Sequence, residues 1–129
     1  YLLDIFPTVC DYLDIQTPRS VNGTSLIPLL QNPNTQLRSS HFYAYKDCQR
    51  AVRNSRFKLI ENLGVNGDIN TQLFDLQKDP WECNDLSENI DYTHLLSELR
   101  RDLLNWRDTA GDTREEEQRF WDKAGSAIR

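Results

Sequence analysis

Five cations, Lys46, Arg50, Arg53, Arg56 and Lys58, crowd one short stretch of a chain whose formal net charge is -5. A guanidinium pairs with sulfate, phosphate or carboxylate through two parallel hydrogen bonds, so the cluster suits an anionic ligand. Side chains alternate along a strand, and cations on a strand's solvent face are the competing reading. The other groups capable of chemistry are scattered. His41 and His94 lack a metal-ligand partner at helical spacing. Glu115-Glu116-Glu117 stands at a helix start, where carboxylates face water and favour the helix dipole. Cys10, Cys48 and Cys83 are too far apart for a zinc site and odd in number. Buried or idle thiols are the favoured reading, with a Cys48–Cys83 disulfide the alternative in an oxidising compartment. Trp81, after Asp79-Pro80, is either a sugar-stacking platform or, as is commoner for such a residue, a plug at the base of a sheet. Asn22-Gly23-Thr24 fits a glycosylation acceptor.

The elements that must hold these groups follow from periodicity. The 129 residues suit one ordinary domain, and a 38% hydrophobic content allows a core. Leu2, Leu3, Phe6, Val9, Cys10 and Leu13 recur at three- and four-residue intervals and predict a short helix, with Asp4 as N-cap and Pro7 in its first turn. Ser25 caps a brief apolar run, Leu26 to Leu30, that Asn32-Pro33-Asn34 stops. The period then changes. His41 to Lys46, Arg50 to Arg53, Phe57 to Ile60 and Gln72 to Leu76 read as four strands of an antiparallel meander. Asn54-Ser55-Arg56 is a tight hairpin turn and Gly64 to Asp68 a looser loop. A helix from about Tyr92 to Arg107, with Leu95, Leu96, Leu99, Leu103 and Trp106 on one stripe, covers one face of the sheet. Thr113-Arg114-Glu115-Glu116 has the form of a capping box before a final short helix that carries Phe120 and Trp121 to Gly125.

Composition excludes some partners. An acidic chain repels phosphate backbones, which argues against nucleic acid. No stretch approaches the roughly 20 apolar residues of a membrane helix, and no cationic segment with an apolar run opens the chain. The chain begins at Tyr1 and has no Met, so we expect a leader or a large domain to have preceded it.

Four segments resemble the end of the sulfatase family of the alkaline phosphatase superfamily, in the family's order and approximate spacing. Asp4-Ile5-Phe6-Pro7-Thr8-Val9-Cys10-Asp11-Tyr12-Leu13-Asp14-Ile15 is similar to Asp-Ile-x-Pro-Thr-Leu-x-Asp-x-x-Gly-Ile, and Gly23-Thr24-Ser25-Leu26-Ile27-Pro28-Leu29-Leu30 to Gly-x-Ser-Leu-x-Pro-Leu-Leu. Arg50-Ala51-Val52-Arg53 through Phe57-Lys58-Leu59-Ile60 resembles Arg-Ala-Val-Arg-x-x-x-Tyr-Lys-Leu-Ile. Leu73-Phe74-Asp75-Leu76 through Asp79-Pro80-Trp81-Glu82 resembles Leu-Tyr-Asp-Leu-x-x-Asp-Pro-x-Glu. Asp14 stands where the family usually has Gly, and Asn84-Asp85 shifts its closing Asn-Leu.

The resemblance implies an α+β fold: a four-stranded antiparallel sheet packed against a C-terminal helix, with residues 1–36 ending the large catalytic domain and 37–129 forming the C-terminal subdomain. It implies a parent that hydrolyses sulfate esters, of a sulfated carbohydrate or an aryl sulfate, with a formylglycine made in a Cys/Ser-x-Pro-x-Arg motif and a calcium ion. None of the three cysteines has Pro at +2 and Arg at +4. The nucleophile and metal ligands are expected upstream, and this chain by itself is expected to be inactive. The family's small sheet often reaches the substrate pocket, which makes Lys46, Gln49 and Arg50, around a strand connection, the candidate substrate-binding residues. The expected partners are the upstream domain, a sulfated substrate and, through an apolar helix face left bare, a second copy of the chain. Export, to the periplasm, is a further expectation from the family. The rivals are a phosphonate or phosphate ester hydrolase of the same superfamily and a freestanding carbohydrate- or protein-binding module.

Overall fold

The structure, a computed structural model, describes residues 1–113 and 115–127. It divides into two compact units, Tyr1–Ser39 and Ser40–Arg129.

In the first unit, a 3-10 turn runs into α1 (Ile5–Tyr12), and α2 (Ile27–Gln31) follows a loop. Asp4 occupies the N-cap position, yet its carboxylate does not cap the helix. It accepts the Thr24 N–H at 2.8 Å and both terminal nitrogens of Arg38 at 2.7 and 2.8 Å, which ties the loop to the helix start. Burial pushes this carboxyl up, but the bonds from Arg38 and Thr24 more than offset it and hold the group below the usual carboxylate range. The N-cap position of α2 falls on Leu26 and not on the expected Ser25, whose Oγ nevertheless accepts the Ile27 N–H at 3.2 Å. Gly23 is required by contact: a Cβ there would lie 2.1 Å from the Leu3 carbonyl oxygen. Asp14 adopts φ 55°, the left-handed conformation that explains why the family pattern prefers Gly. The expected apolar stripe is only partly used. Pro7 and Cys10 are buried, whereas Leu2, Phe6, Val9 and Leu13 are exposed.

The second unit holds β1 (His41–Tyr45), β2 (Gln49–Arg53), β3 (Phe57–Leu63), β4 (Ile69–Asp75), α3 (Thr93–Ala110) and α4 (Glu115–Ala127). The strands form an antiparallel meander in the order β1-β2-β3-β4, and the α+β fold is the one expected. Asn54 makes the β2–β3 turn, because its side-chain oxygen accepts both the Arg56 and Phe57 N–H groups. β3 and β4 run further than expected, since Gly64 N–H donates to the Asp68 carbonyl and Gly67, at φ 86°, closes the turn tightly. Val52, Leu59, Leu63 and Leu73 on one face pack with Leu96, Leu99 and Leu103 of α3. Phe120, Trp121 and Ala124 of α4 complete this core, so two helices cover the sheet where one was expected. α3 ends at Gly111, φ 68°, with the Asp112 N–H returning to the Arg107 carbonyl. The predicted capping box of α4 includes Arg114 and lies outside the described residues.

Candidate functional site

The sheet has two unlike faces. Register places Gln49, Ala51 and Arg53 of β2 on one face with Tyr43 of β1 and Lys58, Ile60 and Asn62 of β3; Ala51 is buried there, and none of these residues belongs to the core cluster formed among the described residues. Arg50 and Val52 point to the helix side. Strand alternation thus splits the predicted site: Gln49 lies on the open face, Arg50 on the covered face, and Lys46 in the β1–β2 turn between them.

Arg50 is fully buried. Its Nε and one terminal nitrogen bind the Asp112 carboxylate, and the other terminal nitrogen donates to the Lys46 carbonyl at 2.7 Å and the Gln49 carbonyl at 2.9 Å. Asp112 also accepts the Trp121 indole N–H at 3.0 Å, while the Arg50 guanidinium lies over the rings of Phe120 and Trp121. Four of the five guanidinium N–H groups are thus engaged within the chain, and Arg50 ties the β1–β2 turn to the joint between α3 and α4. A second buried pair on the same face, Glu61 with Arg100 at 2.8 Å, is closed by Thr71, which donates to Glu61 and accepts from Arg100.

Lys46 is exposed and sits at φ 47°, with its ammonium 5.4 Å from the centre of the Tyr45 ring. Gln49 donates from its amide to Asn62 at 2.6 Å, and Asn62 donates on to Gln72 at 3.2 Å. The remaining cations of the cluster separate. Arg56 grips Asp75 with Nε and a terminal nitrogen, at 2.7 to 3.2 Å, and this pairing holds the Asp75 carboxyl below its usual range and raises the Arg56 guanidinium. Lys58 bonds Glu82 at 2.7 Å. Arg53 is exposed, and its side chain has neither hydrogen bond nor ion pair among the described residues. Tyr43, Gln49, Ala51, Arg53, Lys58 and Ile60 line a groove of about 330 Å3 on the open face. The cation clustering pointed to the region; the strand period was the signal that would have separated ligand-facing from core-facing members.

Of the two alternatives for Trp81 the plug is overturned, whereas the favoured reading of the cysteines stands. Trp81 is 85% exposed and plugs nothing. Cys10, Cys48 and Cys83 are all free, Cys10 buried and Cys83 exposed. Cys48 closes the β1–β2 turn, its carbonyl accepting the Leu63 N–H, whereas the loop that carries Cys83 follows the other end of β4. Among the described residues no group of three His, Cys, Asp or Glu side chains is placed to hold a metal ion. No helix among the described residues is long and apolar enough to cross a membrane.

Residues 2–109 match the family model for the C-terminal region of N-sulphoglucosamine sulphohydrolase. The chain belongs to this sulfatase family. It is 32% identical over 108 residues to a Delta 4,5-hexuronate-2-O-sulfatase of Bacteroides thetaiotaomicron, covering 76% of this chain and 21% of that protein. It is 25% identical over 144 residues to an ulvan-active sulfatase of Formosa agariphila, covering 84% of this chain and 29% of that one. A solved structure in complex with its substrate D-glucosamine-2-N,6-O-disulfate shares the fold with a TM-score of 0.77 at 24% identity, over 88% of this chain and 25% of that one. The chain thus spans less than a third of the sulfatases it matches, and the part it matches is their C-terminal region.

Proposed function

We propose that this chain is the substrate-recognising C-terminal part of a sulfatase that removes sulfate from a carbohydrate. The observation that carries the reading is the family match over residues 2–109 together with relatives that are carbohydrate sulfatases. In this reading the division at about residue 37 separates the end of the catalytic domain from the C-terminal subdomain. The formylglycine nucleophile and the calcium ion that stabilises charge on the sulfate ester belong upstream of Tyr1, and the 129-residue chain has no turnover of its own. Family resemblance also supports export, with the periplasm as the setting.

The chain's own contribution is positioning. Lys46 projects from a turn whose two carbonyls, its own and that of Gln49, are clamped by the buried Arg50. A clamped turn fixes the backbone from which the Lys46 side chain projects, which favours presenting its ammonium group to an anionic or hydroxyl-rich part of the substrate. Arg50 acts through the turn, and Lys46 and Gln49 are the side chains left to touch a ligand.

The test is sulfate release by the full-length parent. Wild type should act on a sulfated sugar, and Lys46→Gln should lower kcat/KM for that sugar by more than for a small aryl sulfate, with a loss of about 1.5–3 kcal/mol if a charge-assisted hydrogen bond is removed. The Lys46 carbonyl bond to Arg50 survives this change, so equal thermal stability is expected. Equal rates for both enzymes on the sugar would remove Lys46 from recognition, and a parent that cleaves phosphonate esters but no sulfate esters would overturn the sulfatase reading.

A further inference from the structure

The open face of the sheet has a shape that the function above does not require. In register across β1, β2 and β3 stand Tyr43, Ala51 and Ile60. A methyl group between two large side chains leaves a trough, and this is the middle of the groove of about 330 Å3. That volume is at the lower end of the roughly 300–1,000 Å3 of small-molecule sites, enough for one sugar residue. Its two ends differ in chemistry. At one, Arg53 stands opposite Lys58. At the other, Gln49 is held by the amide ladder through Asn62 to Gln72.

Arg53 supplies this surface with a cation unanswered within the chain, as the exposed Arg19 and Arg101 are elsewhere among the described residues, but it alone of the three lines this groove. Arg50, Arg56, Arg100 and Arg107 are each held by a carboxylate. Lys58 has its charge answered by Glu82. Arg53 alone among the groove's cations has no acid partner among the described residues, in a chain with five more acidic than basic side chains. A fork of N–H donors at the mouth of a trough with an apolar floor matches an oxyanion carried on a sugar ring: the anion takes the guanidinium, the ring lies over Ala51 and Ile60, and a fixed amide meets hydroxyls.

We propose that the open-face groove binds one anionic sugar residue, with its sulfate on Arg53 and its ring along Ala51 toward Gln49. The choice of a sulfated saccharide rests on the sulfatase reading; the site for an oxyanion does not. Binding needs no turnover, so a failure here leaves sulfate release by the parent untouched, and a failure there leaves this groove untouched.

The experiment is a 15N-1H NMR titration of the 129-residue chain with N-acetylglucosamine 6-sulfate, with N-acetylglucosamine, glucuronate and inorganic sulfate as separate probes. Saturable shifts are expected at amides of residues 49–53 and 58–62, about tenfold weaker or more without the sulfate. Arg53→Ala should lose about tenfold or more in affinity with unchanged thermal stability, since Arg53 has no partner to leave behind. Should that variant misfold, Ala51→Leu fills the trough, keeps the cation, and should abolish binding. Glucuronate binding that also needs Arg53 would support the site with a carboxylate as its anion. Several results would overturn the proposal: no saturation through the millimolar range, shifts from inorganic sulfate equal to those from the sugar, or affinity indifferent to both variants. So would hydrogen exchange at residues 49–53 of the full-length parent that the sugar leaves unchanged, because the upstream part would then be the occupant of this face.

Discussion

The two units of this chain solve the same problem of stability in opposite ways. Ser40–Arg129 encloses a core in which Val52, Leu59, Leu73, Leu103, Phe120 and Ala124 have no exposed surface. Tyr1–Ser39 has no comparable core: Asp4, Pro7 and Cys10 are its buried residues, and the organising contact is a carboxylate bonded by Arg38 and Thr24. Its apolar side chains are not missing; Leu2 is 87% exposed and Phe6 54%. An apolar face left to water on a small unit marks a docking surface. The difference teaches that one unit supplies its own hydrophobic stabilisation and the other is built to borrow it, in our proposal from the upstream part of the parent.

Each side of the comparison can be broken separately. The largest effect is expected in the second unit from Asp112→Ala, which strands the Arg50 guanidinium in the core without its counter-charge. Loss of one member of a buried pair costs about 3–5 kcal/mol, read as a lower urea midpoint for the sheet and α3 together. A loss below 1 kcal/mol would mean that water reaches Arg50 and that the turn is not clamped. In the first unit, Gly23→Ala forces its new methyl against the Leu3 carbonyl and should cost about 1–3 kcal/mol there. Circular dichroism of the sheet and its urea midpoint should stay unchanged; a matching fall in both units would show that their stabilities are coupled. The smallest effect is a gain. Asp14→Gly relieves a left-handed residue and should stabilise α1 by about 1 kcal/mol, checked by hydrogen exchange at residues 10–15. No change would assign that conformation little strain.

Much of the second unit was legible from local rules. Alternation marked the strands, Asn54 marked a turn that its own side chain builds, and the leucine stripe marked the helix that lies on the sheet. What local rules do not reach is a partner distant in sequence. Arg50 meets Asp112 across 62 residues, and nothing near Arg50 announces that its charge is answered inside the core. Charge clustering grouped it with Lys46, although the strand period already put its side chain on the face opposite Gln49. Gly23 read as part of a glycosylation triplet and of the family pattern, because its close approach to Leu3 depends on how the chain folds back on α1. Asp4 read as a helix cap, since a capping residue and a hub for a distant arginine look alike in sequence. Trp81 differs again: its exposure is visible only in the structure.

The contrast between the units is tested most directly by amide hydrogen exchange on the dilute 129-residue chain, with sedimentation velocity to record its mass. Amides of β2, β3, β4 and α3 should exchange together and slowly, at the rate of global unfolding. Those of residues 1–39 should exchange orders of magnitude faster, or gain protection only at concentrations where the chain self-associates through its bare apolar face. A monomer in which α1 is as well protected as β3 would contradict the account.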